Sequence, residues 1–401
     1  MLWHTKIQDT PSNCCDAARK AAPRPYRLVS SKAHDRPAPS DSRPHRCRGV
    51  IQVMSGISLL PPDSDRPTLK TIAAETGLAI ATVSRALKDA PDIGEDTKKR
   101  VRETAERLGY RPNRAGVRLR TGKTNVIALV LSTEADVMNH TSKLIYSIAE
   151  ALRGSAYHLV VMPFFGDQDP MDPIRYIVET GSADGVVLNQ TQPNDPRVRY
   201  LADHNLPFAT HGRTNMGIPH PYFDFDNEAY ARLAVRELVK RGRKGLLLIP
   251  PPRSHSYAGH MIAGFADEAA KCGVRFEVTD HISSDSPGSV IEAAMTARMA
   301  QDQRIDGILC GSTTAAMASV AGAENAGLRI GRDFDLVAKE AISFLHRFRR
   351  EILVVKEDVG HAGTFIAQSL MAAIEKRAPD QGQYLERPTR ADDGLPKGET
   401  R

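Results

Sequence analysis

Residues 68–123 read TLKTIAAETGLAIATVSRALKDAPDIGEDTKKRVRETAERLGYRPNRAGVRLRTGK. Two short apolar-periodic segments, 69–76 and 80–87, flank Gly77, a residue free to adopt the positive φ of a tight helix–helix turn. The Thr68 hydroxyl is placed to accept from a first-turn amide of the first segment. Ile72, Leu78, Val83 and Leu87 are spaced to meet on one side. A third helix is expected over 95–108, with Val101, Ala105 and Leu108 on one face, Glu95 and Asp96 at its positive end and Gly109 as its stop. Three small helices, the second carrying Thr82, Ser84 and Arg85 outward, describe a helix-turn-helix module. A small helical cap on a larger domain would read in the same way, and the residues that follow bear on the choice.

Tyr110-Arg111-Pro112-Asn113 ends the third helix, and a short basic segment, 114–120, comes next. Together TLKTIAAETG, TVSRAL, RLGYRPN and LRTGKTNVIALV, in this order and spacing, resemble the lactose-repressor/galactose-repressor (LacI/GalR) family of bacterial transcription regulators. The resemblance implies a hinge helix after the third helix that folds on the operator and wedges Leu119 into the minor groove. A helix as short as 113–121, with Gly116 inside it, is not stable alone in water, which suits an element that orders only on DNA. The resemblance also places Ile80 and Ala81 at the two main specificity positions. Neither side chain donates a hydrogen bond, so contact with thymine methyl groups is expected there. Thr82, Ser84 and Arg85 suit phosphates and one base contact. Thr68 and Leu69, with Tyr110 and Asn113 at the hinge, complete the DNA-facing set. Ala79 stands where the family carries a serine, so one cap and phosphate contact is lost.

The chain has 401 residues and a net charge of +6. Residues 1–53 hold ten Lys/Arg against four Asp/Glu, and residues 66–125 hold fourteen against seven, so everything after residue 125 is mildly acidic. A basic head on an acidic body fits phosphate binding by one module. Residues 1–65 are rich in Arg, Pro, Ser and Ala and lack hydrophobic periodicity, which suggests a disordered basic extension. A start of translation at Met54 would remove most of it. Cys14, Cys15 and Cys47 have no zinc-site spacing, and Cys272 and Cys310 suit buried apolar positions. No metal and no cofactor is expected. Neither a membrane span nor a signal-peptide core is present in the sequence, and a cytoplasmic location is expected.

From residue 125 short apolar runs alternate with amphipathic segments. Strands are expected at 126–131, 157–162, 185–188, 207–210, 245–249, 274–279, 307–310, 334–338 and 352–355. Helices are expected at 142–153, 174–180, 227–241, 261–271, 289–299, 314–326 and 362–376. The pattern predicts an α/β body of two parallel-sheet subdomains with a ligand cleft at the carboxyl ends of the strands. The expected division is a helix-turn-helix domain over 66–112, a hinge over 113–123, an effector-binding and dimerisation domain over 124–377 and a polar tail over 378–401.

The resemblance continues through this body and implies the fold of the periplasmic sugar-binding proteins. Ala183-Asp184-Gly185-Val186-Val187, Arg213, Asp226-Asn227, Gly264-Phe265 and Gly327-Leu328 match. Met261, beside His260, stands where the family has an effector-contacting arginine. Ser312-Thr313 replaces an Asn-Asp pair, and Glu340 falls on a cleft aspartate. These positions, with Arg213 and His255, are the candidate effector contacts. The implied partners are pseudopalindromic double-stranded operator DNA, a sugar-like small molecule and a second copy of the chain, with higher oligomers open. An enzyme or a sugar-binding protein with a helical cap is the alternative. Against it, the sequence lacks a Walker lysine motif and any GxSxG or HExxH, and no GxGxxG follows a strand.

Overall fold

The computed structural model describes residues 67–111, 118, 122–133, 138–301, 305–377 and 382–389. The basic extension with Met54, the hinge residues Asn113, Gly116 and Leu119, and the end of the tail from residue 390 lie outside the described residues.

The head contains α1 (Leu69–Thr76), α2 (Ile80–Ala86) and α3 (Glu95–Arg107). Thr68 and Thr71 form a reciprocal cap at the start of α1: Thr71 N donates to Thr68 Oγ1 at 3.3 Å and Thr68 N to Thr71 Oγ1 at 3.0 Å. Gly77 ends α1 in the left-handed conformation, with φ 67°. Ile72, Val83, Ala86, Val101 and Ala105 form the buried core, and Leu69, Leu78, Leu87, Leu108 and Tyr110 pack around it. Ala79 at the N-cap of α2 makes no side-chain cap.

The body carries two wholly parallel sheets. The first has strand order β11-β5-β4-β3-β1-β2, built from β1 (Val126–Ser132), β2 (His158–Phe164), β3 (Gly185–Leu188), β4 (Phe208–His211), β5 (Tyr222–Phe225) and β11 (Gln383–Glu386). The second has order β10-β9-β8-β6-β7, from β6 (Gly245–Ile249), β7 (Arg275–Val278), β8 (Gly307–Cys310), β9 (Asp335–Glu340) and β10 (Leu353–Lys356). Helices α4 (Met138–Ala151), α5 (Asp172–Thr180), α6 (Pro196–Asp203) and α12 (Val359–Ile374) belong to the first sheet. Helices α7 (Asn227–Lys240), α8 (Ser256–Lys271), α9 (Gly288–Gln301), α10 (Thr313–Asn325) and α11 (Leu345–Phe348) belong to the second. Apolar strands such as Gly245–Ile249, buried at every position, are what a sheet covered on both faces requires. The chain passes from the first sheet to the second at Asp226 and returns at Glu357–Asp358.

Two expectations need correction. The polar tail after residue 377 contains β11, an edge strand paired in parallel with β5. Its residues, Gln-Tyr-Leu-Glu, carry little intrinsic strand signal. Pairing is supplied from outside the segment, by Tyr222 N donating to Gly382 O and Asp226 N to Glu386 O, both at 2.8 Å. The strand β5 is not among the expected strands: its four residues include a buried Asp224 that interrupts the apolar pattern.

Gly264 of α8 faces α7 so closely that a Cβ there would lie 2.4 Å from the Glu228 carbonyl oxygen. Backbone atoms cannot step aside as a side-chain tip can, so Gly264→Ala should force the helices apart. The expected cost is about 1–3 kcal/mol, read as a fall of several degrees in thermal midpoint. An unchanged midpoint would show that the α7–α8 contact is looser than this.

Candidate functional site

Two surfaces carry the candidate side chains. On the head, α2 presents Ile80, 44% exposed although large and apolar, beside exposed Ala81. Thr82 and Ser84 are half-buried on the same helix, and Arg85 is exposed. Arg85 forms an ion pair with Asp92, just before α3. Thr68 is exposed at the start of α1, whereas Leu69 and Tyr110 are half-buried against the head core. Burial raises the Tyr110 phenol above its ordinary range.

The second surface is a cleft of about 940 Å³, including the part open to solvent, between the carboxyl ends of the two sheets. Asn189 and Gln190 follow β3, His211 and Asp224 end β4 and approach the end of β5, Ser312 and Thr313 follow β8, and Lys339 and Glu340 end β9. His140 of α4 and Glu357 after β10 also line it.

Three polar atoms in this wall, Asn189 Oδ1, His211 Nε2 and Asp224 Oδ2, are buried without a hydrogen-bond partner. Arg213 Nε lies 3.1 Å from Asp224 Oδ2, close enough for charge attraction but without hydrogen-bond alignment. Burial therefore dominates, and the Asp224 carboxyl is pushed up to about 7 in spite of Arg213 and Lys339. Glu357 has the opposite fate. Burial pushes its carboxyl up, but Lys339 Nζ at 3.0 Å and His140 Nε2 at 3.4 Å more than offset this and hold it well below the usual range. His211 is pushed down to about 3 by burial and then by the charges of His140 and Lys339, so its imidazole is neutral.

Under the cleft, Asp195 and Arg197 are almost fully buried. Arg197 Nη2 donates to Asp195 Oδ2 at 2.7 Å and to the carbonyls of Asn189 and Gln190 at 3.1 Å. Asp195 also accepts from Gln192 N at 3.1 Å and caps α6 through Arg197 N at 3.0 Å. Burial pushes the Asp195 carboxyl up, and its bonds to Arg197 bring it below its ordinary value.

The expected effector contacts divide in two. Ser312, Thr313 and Glu340 line the cleft. Glu340 Oε2 is, however, occupied by the amides of Phe344 and Leu345, both at 2.9 Å. Arg213, His255, His260 and Met261 are not part of the lining. Arg213 pairs instead with Asp224 of the lining. His255 stands behind the wall, its Nδ1 2.9 Å from the hydroxyl of lining Tyr257. Burial and then Arg197 push His255 down to about 4, leaving a neutral ring that can accept from that hydroxyl. His260 is half-buried outside the lining, and Met261 is fully buried in the core with Tyr230 and Phe265. The correction for Met261 is geometric: it lies four residues before Phe265 on the inward stripe of α8. Missed by sequence reasoning were His140, Asn189, Asp224, Tyr257, Lys339 and Glu357. For Asn189 and Lys339 a signal existed, a polar residue at the end of an apolar strand.

Residues 68–113 match the family described as bacterial regulatory proteins, lacI family. Residues 124–383 match periplasmic binding proteins and sugar binding domain of LacI family. The HTH-type transcriptional regulator AglR of Rhizobium meliloti is 30% identical over 79% of this chain and 90% of its own length. The HTH-type transcriptional regulator RafR of Escherichia coli is 35% identical over 52% of this chain and 62% of its own. Among solved structures, the Lac repressor dimer bound to operator and the anti-inducer ONPF superposes with TM-score 0.70 at 19% identity, over 82% of this chain and all of that one. The transcriptional regulator CelR–cellobiose complex gives TM-score 0.58 at 21% identity, over 81% and 98%.

Proposed function

The chain belongs to the LacI family of bacterial regulatory proteins, DNA-binding regulators rather than enzymes, and from that membership we propose that it represses transcription from a pseudopalindromic operator and that a sugar-like effector controls its operator affinity. The observation that carries the effector half is the set of unpartnered buried atoms in the cleft wall. Each buried polar group left without a partner costs about 1–3 kcal/mol. A polyhydroxylated ligand offers both donors and acceptors to Asn189 and Asp224, with Ser312 and Thr313 on the facing sheet. Among the described residues no helix is long and apolar enough to cross a membrane. The site of action proposed is the cytoplasm, where the operator is.

On DNA, α2 lies in the major groove with Ile80 and Ala81 against thymine methyl groups, and Thr68, Thr82, Ser84 and Arg85 contact the backbone or one base. Asn113 and Leu119 are assigned to the hinge. A module this small reads few base pairs, so two heads related by a two-fold axis are needed. The test is selection of operators from random DNA with the full chain, followed by gel-shift against candidate sugars. Recovery of an inverted repeat whose binding one sugar weakens or strengthens supports the reading. Recovery of a single unrepeated half-site bound at full affinity refutes the two-headed arrangement, and indifference to every sugar refutes the effector.

Arg85 gives a sharper test. Its exposed pair with Asp92 is worth at most about 1 kcal/mol, so exchanging Asp92 for a phosphate costs little. Arg85→Ala should weaken binding to all sequences alike and flatten the dependence of log affinity on log salt by about one unit. An altered sequence preference with an unchanged slope would reassign Arg85 to base reading.

A further inference from the structure

His140, His211 and Glu357 converge on one point of the cleft wall although they come from α4, the end of β4 and the segment after β10. One donor atom from each lies within 4.8 Å of the other two. His140 Nε2 and Glu357 Oε1 are 3.4 Å apart, and the two imidazole centroids 4.9 Å. From this geometry we propose that His140, His211 and Glu357 form a binding site for a divalent transition-metal ion, of the zinc class, at the floor of the cleft. This assignment goes beyond the reading of the cleft as a sugar site and does not depend on it.

Two ligands at about 2.1 Å from a tetrahedral ion stand about 3.4 Å apart. The His140–Glu357 separation is already that of such an edge. The His211 donor lies within 4.8 Å of the other two and must close by up to about 1.4 Å to complete the face. His211 Nε2 is buried in the wall and has no hydrogen-bond partner, so ligation would break nothing. At His140 the ion would take the place of a proton shared with Glu357.

Lys339 is the strongest objection, since its ammonium sits beside the same carboxylate. It occupies Glu357 Oε2 at 3.0 Å, however, and leaves Oε1 toward the histidines. Two imidazoles and a carboxylate suit zinc, cobalt or nickel better than calcium or magnesium, which take oxygen ligands. Three protein donors leave positions open toward the cleft.

The experiment uses the untagged full chain, freed of metal by a chelator and dialysed against Zn²⁺. About one zinc per chain is expected. The cobalt form should show visible d–d bands of nitrogen and oxygen ligation without a thiolate charge-transfer band, which separates this site from the cysteines. His140→Ala and His211→Ala should each weaken zinc binding by at least about 100-fold, since even outer-shell changes cost 10- to 100-fold. Far-UV circular dichroism checks that each variant is folded. If His211→Ala does not fold, the partly exposed His140 decides alone. No zinc bound by the parent chain, a thiolate band, or undiminished binding by folded His140→Ala would overturn the site. Operator binding and sugar response of the metal-free chain are read separately, so a failed metal site leaves the sugar reading standing and the converse also holds.

Discussion

Asp195→Ala is expected to destabilise the body by about 3–5 kcal/mol, the cost of removing one partner from a buried ion pair. Asp195 is wholly buried and Arg197 is 4% exposed, so the guanidinium left behind could not reach water without opening the segment between β3 and α6. Asp195 also accepts from the amides of Gln192 and Arg197, and both would lose that bond. Because Arg197 Nη2 holds the Asn189 and Gln190 carbonyls, the damage should reach the cleft wall directly. Urea unfolding should show the loss of stability, and effector affinity should fall in parallel while operator binding by the head is retained. Replacing Asp195 and Arg197 together by apolar residues of similar size should recover much of the stability but not the effector affinity. If the single variant lost less than about 1 kcal/mol, water must already reach the pair.

The contrast between Val186 and Asp224 shows where sequence reasoning works in this chain. Strands such as 185–188 and 245–249 were legible to the residue, because burial on both faces demands an unbroken apolar run. The head was legible for a different reason. Its caps and turn are local, and Thr68, Gly77 and Gly109 each act within a few residues. The cleft was legible only in part. Ser312 and Thr313 follow an apolar strand, Glu340 ends one, and all three line the cleft, but Asp224 sits inside a strand, and its setting depends on Arg213 and on burial that no local pattern reports. His140, His211 and Glu357 are separated by 71 and 146 positions in sequence. Only the crossing of the chain between two sheets brings them together. Met261 failed in the other direction, since a motif position was transferred where the helix turns that residue into the core.

Asp224→Asn should strongly change how stability depends on pH between about 4 and 7. The folded carboxyl titrates at about 7, against an ordinary value of 3.8. Between those values the folded chain holds a proton that the unfolded chain has released, so raising the pH destabilises the parent protein. One proton corresponds to about 1.4 kcal/mol per pH unit. Over the interval the parent should lose on the order of 4 kcal/mol relative to the asparagine variant, fully expressed above pH 7 and absent below about pH 4. His211 and His255, pushed down to about 3 and about 4, act in the opposite sense and favour folding as the pH rises toward 6.5. Glu386, which burial raises to about 7, acts in the same sense as Asp224. These groups are common to both proteins and largely cancel in the difference, which is why the comparison is needed. The sign also bears on the effector. A sugar hydroxyl donates better to an ionised carboxylate than to a protonated one, so ligand affinity of the parent should rise as the pH passes 7, and that rise should vanish in Asp224→Asn. Unfolding curves from pH 4 to 8 that stay parallel for the two proteins would mean that Arg213 already keeps Asp224 ionised, and the cleft would then hold its carboxylate charge at every pH where the chain is folded.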